Sequence, residues 1–356
     1  MTDTAPAHAG STAHTAPAAP REGGTAPGAT RTLSTWRALN SALHQAMAAD
    51  ERVFVMGEDL TRWGTGGGIY GVTRKLAETF GTERVRDTPI SEEALVSAAV
   101  AAAMRGARPV LEVMYSDFTL LGMDGIVNQA AKARYMFGGQ YEVPLVLRTN
   151  QGSGIGKAAQ HSQSLEVLFA HVPGLEVVVP GSAGDAYGLL LSAIESPNPT
   201  VFLEHKALYN DRGPVGEGPI PLGLADVVRP GSDVTVVATQ LMRRRALEAA
   251  DVLAAEGISV EVVDPRTLYP LDIDTVTASA ARTGRLLVAH EAPELFGFGA
   301  ELAAQVGRRL WHTLRAAPRR LGGARTPVPY AEGLEAAVVP DTGLLVREIR
   351  ELVAAD

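Results

Sequence analysis

Apolar stripes at helical spacing and short continuous apolar runs alternate along most of this chain. Leu39, Leu43, Ala46 and Met47 share one face of a helix predicted over 36–49, with Ser34 placed to cap it. A short buried strand follows at 53–56, then a glycine-rich loop at 63–71 and a helix through Leu76 and Phe80. Val85 marks a second strand, ending at Pro89, and Ser91 caps the helix after it. The small side chains of that helix (Ala94, Ala98, Ala101, Ala102) imply close approach to another helix. Further strands are predicted at 109–114, 144–148, 175–179 and 201–203, with helices over 120–137 and 185–194. Continuous Val/Leu/Ile strands alternating with helices describe an α/β fold whose parallel sheet is covered on both faces.

The stretch 210–222 breaks this rhythm with Gly and Pro, as a linker would. The alternation then restarts, with strands at 234–238, 260–263 and 285–290, a helix over 244–255 and a last helix near 344–352. Four segments follow: a tail over 1–31, a larger α/β domain over 32–209, a linker over 210–226 and a smaller α/β domain over 227–356. The tail is dominated by Ala, Thr, Pro, Gly and Ser, so it cannot bury enough apolar surface to offset its ordering entropy and reads as disordered. No apolar core of a secretory signal follows Met1, and no apolar run is long enough to span a bilayer. A cytoplasmic protein is expected.

Composition narrows the chemistry. The 356 residues are 46% hydrophobic and 20% charged, which suits sizeable cores rather than disorder. A net charge of -8 with no basic stripe disfavours nucleic acid and anionic membranes as partners. Zero cysteines exclude a disulfide scaffold, a thiolate metal site and a cysteine nucleophile together.

Gly66, Gly68 and Gly71 match G-x-G-x-x-G, but the preceding strand ends too early for a dinucleotide fingerprint, so a mobile loop is the reading. Gly152, Gly154 and Gly156 precede Lys157-Ala158, which lacks the Ser or Thr ending of a P-loop. His161 at the end of that loop is a candidate proton-transfer group, although a lone loop histidine is more often structural. In DTPISEE at 87–93, Glu93 can serve the helix dipole, while Glu92 can do the same or project into an interface.

Taken together, VMGED at 55–59, RVRDTPISE at 84–92, NQAAK at 128–132, RYMFGG at 134–139, AQHSQ at 159–163, LEHK at 203–206 and VDPRT at 263–267 resemble one family. It is the beta subunit of thiamine-diphosphate-dependent 2-oxoacid dehydrogenases, the decarboxylating component of the pyruvate and acetoin type. The resemblance runs from Thr32 to the C-terminus. It implies a transketolase-like pyrimidine-binding domain followed by a transketolase C-terminal domain. It also implies an α₂β₂ assembly with an alpha subunit, a 2-oxo acid substrate and acyl transfer to a lipoyl-bearing dihydrolipoamide acyltransferase. Thiamine-diphosphate enzymes hold Mg²⁺ and diphosphate with a Gly-Asp-Gly motif. None occurs in this chain, so the resemblance assigns both to the alpha subunit.

Carried over residue by residue, Glu92 would hydrogen-bond the pyrimidine nitrogen N1′ and Phe118 would pack on the pyrimidine ring. Glu58 would support the cofactor site. His161 would assist substrate binding or acyl transfer, and Gln163 would shape the entrance. A structural K⁺ would sit on carbonyls around Leu145, Ala193, Ile194, Ser196 and Asn198. His290 and Glu291 would pack between beta subunits. An acetoin-cleaving or carboligating relative is the alternative within the enzyme class, and an inactive scaffold subunit the alternative outside it.

Overall fold

The computed structural model describes residues 31–61 and 66–355. The disordered-tail reading therefore lies outside the described residues, except at Arg31, as does the Trp63 tip of the first glycine-rich loop. Arg31 opens β1 (Arg31–Ser34), which leads into α1 (Thr35–Ala49). Ser34 occupies the capping position, but its buried hydroxyl has no partner. The amides of Thr35 and Trp36 instead donate to the carbonyls of Asp211 and Tyr209, each at 3.0 Å. The Asp211 carbonyl belongs to the stretch read as a linker, and Tyr209 immediately precedes it. That stretch is more ordered than its composition implies, because β8 (Arg212–Val215) pairs antiparallel with β1.

The larger sheet contains β2 (Val53–Gly57), β3 (Val85–Asp87), β4 (Arg108–Tyr115), β5 (Val146–Gln151), β6 (Glu176–Val178) and β7 (Thr200–His205). They are parallel and lie in the order β6-β7-β5-β4-β2-β3. Strand alternation divides their side chains between two layers. Val53, Val55, Val110 and Phe202 pack with α1 and α6 (Ala183–Glu195). Phe54, Met56, Leu111 and Leu203 pack on the other face, with α3 (Glu92–Met104) and the helical segments after β4.

Two expectations fail on that second face. The helix predicted over 120–137 begins earlier and is not a regular α-helix. The chain winds tightly as a 3₁₀ segment over Ser116–Gly122, loosens to π-type winding over Gly125–Ala130, and becomes α4 at Ala131–Met136. The close helix approach in this chain also uses a different face of α3. A Cβ on Gly122 or Gly125 would come within 2.7 or 2.6 Å of the Val96 side chain, so only glycine fits there. Ala94, Ala98 and Ala101 are left exposed. Ser91 precedes α3 without a side-chain cap.

The smaller sheet is built from β9 (Asp226–Arg229), β10 (Val234–Ala238), β11 (Val260–Asp264), β13 (Leu286–Pro293) and β14 (Arg319–Gly323), in the order β14-β13-β10-β11-β9. All pairings are parallel except β9, which runs antiparallel beside β11. Helices α7 (Gln240–Ala254) and α11 (Thr342–Ala354) cover one face; α8 (Ile273–Thr283) and α9 (Phe298–Leu310) cover the other. The strand between β11 and α8, β12 (Thr267–Tyr269), leaves this sheet and pairs antiparallel with β6 of the larger one. One apolar cluster runs from Leu95, Phe169 and Leu203 into Val237, Val263 and Val288, so the two sheets share a core. Among the described residues no helix is long and apolar enough to cross a membrane.

Candidate active site

Parallel sheets present their loops and ligand sites at the carboxyl ends of the strands. Here the candidate residues follow four neighbouring strands in spatial order. Glu92 comes after β3, Glu58 after β2, Phe118 after β4 and His161 after β5.

Glu92 is the first residue of α3 and only 7% exposed, whereas Glu93 beside it is exposed. That separates the two carboxylates which the sequence leaves equivalent. Among the described residues no hydrogen-bond donor reaches the Glu92 carboxylate. Partial burial and the neighbouring Glu92 charge push Glu58 above the usual carboxylate range. The Gly122 turn lies against the Glu92 carbonyl, which sets the Phe118 segment beside the start of α3.

Phe118 is half-buried, with its ring centroid 5.2 Å from that of His161 and nearly perpendicular to it. Tyr115, at the end of β4, packs edge-on against both, at 4.7 Å from His161 and 5.8 Å from Phe118. Gln163 does not point at these rings. Its side-chain amide donates to Asp117 Oδ1 at 2.8 Å, and its carbonyl accepts from Ser116 Oγ and from the Gly152 amide. Asp117 Oδ2, Asn150 Oδ1 and Ser162 Oγ are buried near this edge without partners. Such orphans cost free energy unless something supplies the missing bonds, so their concentration here fits a ligand site.

The sequence reading missed Tyr115, Asp117 and Lys206. Lys206 follows β7, donates to the Gly152 carbonyl and lies 5.7 Å from the centre of the Tyr115 ring. Burial lowers its ammonium to about 8, against the pull of Glu291 and Asp117. The available signals were position, at the carboxyl end of a parallel strand, and for Lys206 its place in the LEHK segment at 203–206.

Beneath this edge lies a paired charge cluster. Arg148 on β5 is fully buried between Glu112 on β4, at 2.7 Å, and Glu204 on β7, at 2.6 Å. Burial opposes its charge, but the two carboxylates outweigh that and raise its pKa. The Tyr209 hydroxyl completes the cluster by donating to Glu204 Oε2 at 2.6 Å. Tyr209 stacks on Tyr70 at 4.5 Å, and the Tyr70 hydroxyl meets that of Tyr115 at 3.2 Å.

The remaining expected residues lie elsewhere. The carbonyls of Ile194 and Ser196 accept from the Arg108 guanidinium at 2.6 and 3.4 Å, and that of Leu145 accepts from the Thr200 amide at 2.8 Å. Asn198 is bonded through its side chain to Glu176 and Arg134, and Ala193 lies buried within α6. These residues do not fit an open carbonyl cage for K⁺, because an internal cation and an amide already use the acceptors. His290 departs from a packing role between subunits, since it is fully buried within this chain; Glu291 is half-buried and lines a cavity together with Gln163 and Pro293. His290 lies buried against Phe298 and bonds the Ala292 carbonyl, while Glu291 bonds His205 Nε2 at 2.5 Å and Ser153 at 2.7 Å.

The sheet order and the site at its carboxyl edge define a protein of the transketolase class. A family model for the transketolase pyrimidine-binding domain matches residues 31–212, and one for the transketolase C-terminal domain matches 223–343. A solved split-gene transketolase, an inactive β4 tetramer, shares the fold with a TM-score of 0.72 at 22% identity, over 91% of this chain and 99% of that one. The beta subunit of acetoin:2,6-dichlorophenolindophenol oxidoreductase from Cupriavidus necator is 45% identical over 90% of this chain and 97% of its own length. A mitochondrial pyruvate dehydrogenase E1 beta subunit from Oryza sativa is 43% identical over 90% of this chain and 86% of its own. The chain belongs to the family of pyruvate and acetoin dehydrogenase E1 beta subunits.

Proposed function

We propose that this chain is the beta half of a thiamine-diphosphate-dependent E1 component. In this reading it decarboxylates a pyruvate-like 2-oxo acid and passes the acyl group to a lipoyl-bearing acyltransferase. The observation that carries it is Glu92: a residue only 7% exposed at the carboxyl edge of a parallel sheet, its carboxylate oxygens still accessible and without a donor among the described residues, close to the half-buried Phe118 segment. An aminopyrimidine needs a carboxylate at its ring nitrogen and an aromatic surface at its face, and these two residues fit both needs. When bound, thiamine diphosphate supplies the electron sink that lets carbon dioxide leave.

The chain's own residues bind and orient. Glu92 would hold a proton at the pyrimidine ring nitrogen, and cover from the cofactor and the alpha subunit would lower the local dielectric and strengthen that bond. Glu58, raised by burial and then by the Glu92 charge, retains its proton more readily than a surface acid. His161, flanked by Tyr115 and Phe118, faces the substrate and assists acyl handover. Mg²⁺ and diphosphate fall to an alpha subunit, since this chain has no Gly-Asp-Gly motif. That division leads to an α₂β₂ assembly with the cofactor between subunits. K⁺ is left out of the cofactor set, because Arg108 uses its carbonyls.

Acetoin cleavage is the second reading, favoured by the acetoin oxidoreductase for which the Cupriavidus necator relative is named. The test is reconstitution with an alpha subunit and a comparison of kcat/KM for pyruvate and acetoin. The proposal expects pyruvate to be preferred. Acetoin preference would install the second reading, and turnover of neither would return the scaffold alternative.

A further inference from the structure

Residues 152–163 form a loop closed at its base by the Gly152 amide, which donates to the Gln163 carbonyl at 3.1 Å. The first arm of this loop is anchored at almost every residue. Lys206 Nζ donates to the Gly152 carbonyl, and the Ser153 amide and hydroxyl both donate to Glu291 Oε1 at 2.7 Å. The amides of Gly154 and Gly156 then donate to the two oxygens of one carboxylate, Glu335 Oε1 at 2.8 Å and Oε2 at 3.0 Å. Positive φ at both glycines, 96° and 64°, provides this turn at little steric cost. Backbone amides converging in this way ordinarily hold a bound anion; here a side chain fills the place. Glu335 is 5% exposed and stands on α10 (Glu332–Ala336), across the domain boundary from the loop.

The second arm carries His161 and is tied at Gln163, two residues further on, to Asp117 and Ser116. Among the described residues no side-chain hydrogen bond holds the imidazole, which rests on the Tyr115 and Phe118 rings. Beyond the arm lies a cavity of about 490 Å³, lined by Gln160, Gln163, Leu165, Pro293 and Val328 among others, so packing does not brace it on that side. His161 is therefore held between the Gln163 anchor at the end of its own arm and the backbone anchors of the first arm.

We infer that Glu335 is a positioning residue. It fixes the His161 loop from the C-terminal domain and thereby sets the geometry for acyl handover. The inference rests on the proposed role of His161 and extends it to a residue that never touches substrate.

The test uses the enzyme reconstituted with its alpha subunit and two assays. One reads decarboxylation through an artificial dye oxidant; the other reads transfer to a lipoyl substrate. Glu335→Ala should reduce lipoyl-dependent turnover about tenfold or more, as misplacement of a reacting group does, and change dye-linked turnover less than about twofold. Glu335→Gln keeps one acceptor oxygen and should restore part of the loss. Hydrogen exchange reads the anchor without any chemistry: the Gly154 and Gly156 amides should be protected in the wild type and exchange freely in Glu335→Ala. Unchanged protection in that variant would overturn the inference, as would an equal loss in both assays. A wild-type assembly inactive in both assays would instead refute the proposed function, with the anchoring still read by exchange. Should Glu335→Ala not fold, Glu335→Gln carries the same comparison, and an unchanged ratio of the two activities in it would overturn the inference.

Discussion

Glu204 and Glu92 are both buried glutamates of the larger sheet, separated by three strands. Glu204 bonds Arg148 through both oxygens and accepts from Tyr209, and Arg148 turns its other side to Glu112. Glu92 has a half-buried acid as its neighbour and no donor among the described residues. The same residue type thus serves two ends. A buried charge with every partner present pins strands β4, β5 and β7 together. A glutamate buried along its stem, with accessible carboxylate oxygens and no donor among the described residues, marks the place where a ligand supplies one.

The largest effect is expected at the unpaired member. Glu92→Gln should lower turnover of the reconstituted enzyme by about 10² to 10⁴-fold, the usual range for a group that handles a proton in the transition state. Its thermal midpoint should stay close to that of the wild type, since no native hydrogen bond is lost. Substantial remaining activity would end the comparison. Arg148→Met inverts the test: it strands two carboxylates in the sheet and should cost about 3–5 kcal/mol in denaturant unfolding. A cost below about 1 kcal/mol would show that the cluster is not structural.

Glu291 sharpens the contrast, being paired but close to the site. Burial pushes its pKa up, yet His205 and Ser153 outweigh this and hold it at about 2, below its ordinary 4.5. A carboxylate depressed by folding adds stability that is complete above 4.5 and is lost as pH falls toward 2. A shift of that size amounts to about 3 kcal/mol. Urea titrations from pH 6 to pH 2 should show this loss, and Glu291→Gln should flatten it. The smallest effect belongs to Tyr209→Phe, which removes one donor to Glu204 and should cost about 1–2 kcal/mol by the same unfolding assay.

Much of the fold was legible because the apolar runs are long and regular. The strand at Val234–Ala238 falls where the pattern puts it, and α6 extends one or two residues beyond its predicted limits. What escaped depends on partners distant in sequence. Arg212-Gly-Pro reads as a loop, yet it becomes β8 because β1 is there to pair with it, at an edge that tolerates proline. β12 belongs to the larger sheet by position and to the smaller domain by sequence, and no local pattern reveals that. Gly122 and Gly125 in the winding after β4 leave no room for a Cβ beside Val96, a contact invisible before α3 is placed.

The site divides along the same line. Glu92 and His161 stand in recognisable segments, so they could be named in advance, and Phe118 followed from the resemblance alone. Tyr115, Lys206 and Glu335 act through contacts made across strands or domains, and Glu335 meets Gly154 from 181 positions away. Glu93 shows why a motif alone is not enough: one position beyond Glu92, it turns out to solvent.

The central claim is that this chain holds half of an active site. The direct measurement is 2-oxo acid decarboxylation, with thiamine diphosphate and Mg²⁺ present, as an alpha subunit carrying Gly-Asp-Gly is titrated into a fixed amount of this chain. Activity should be absent at the start, rise linearly and reach a plateau at equimolar subunits. Full turnover by this chain alone would contradict the account.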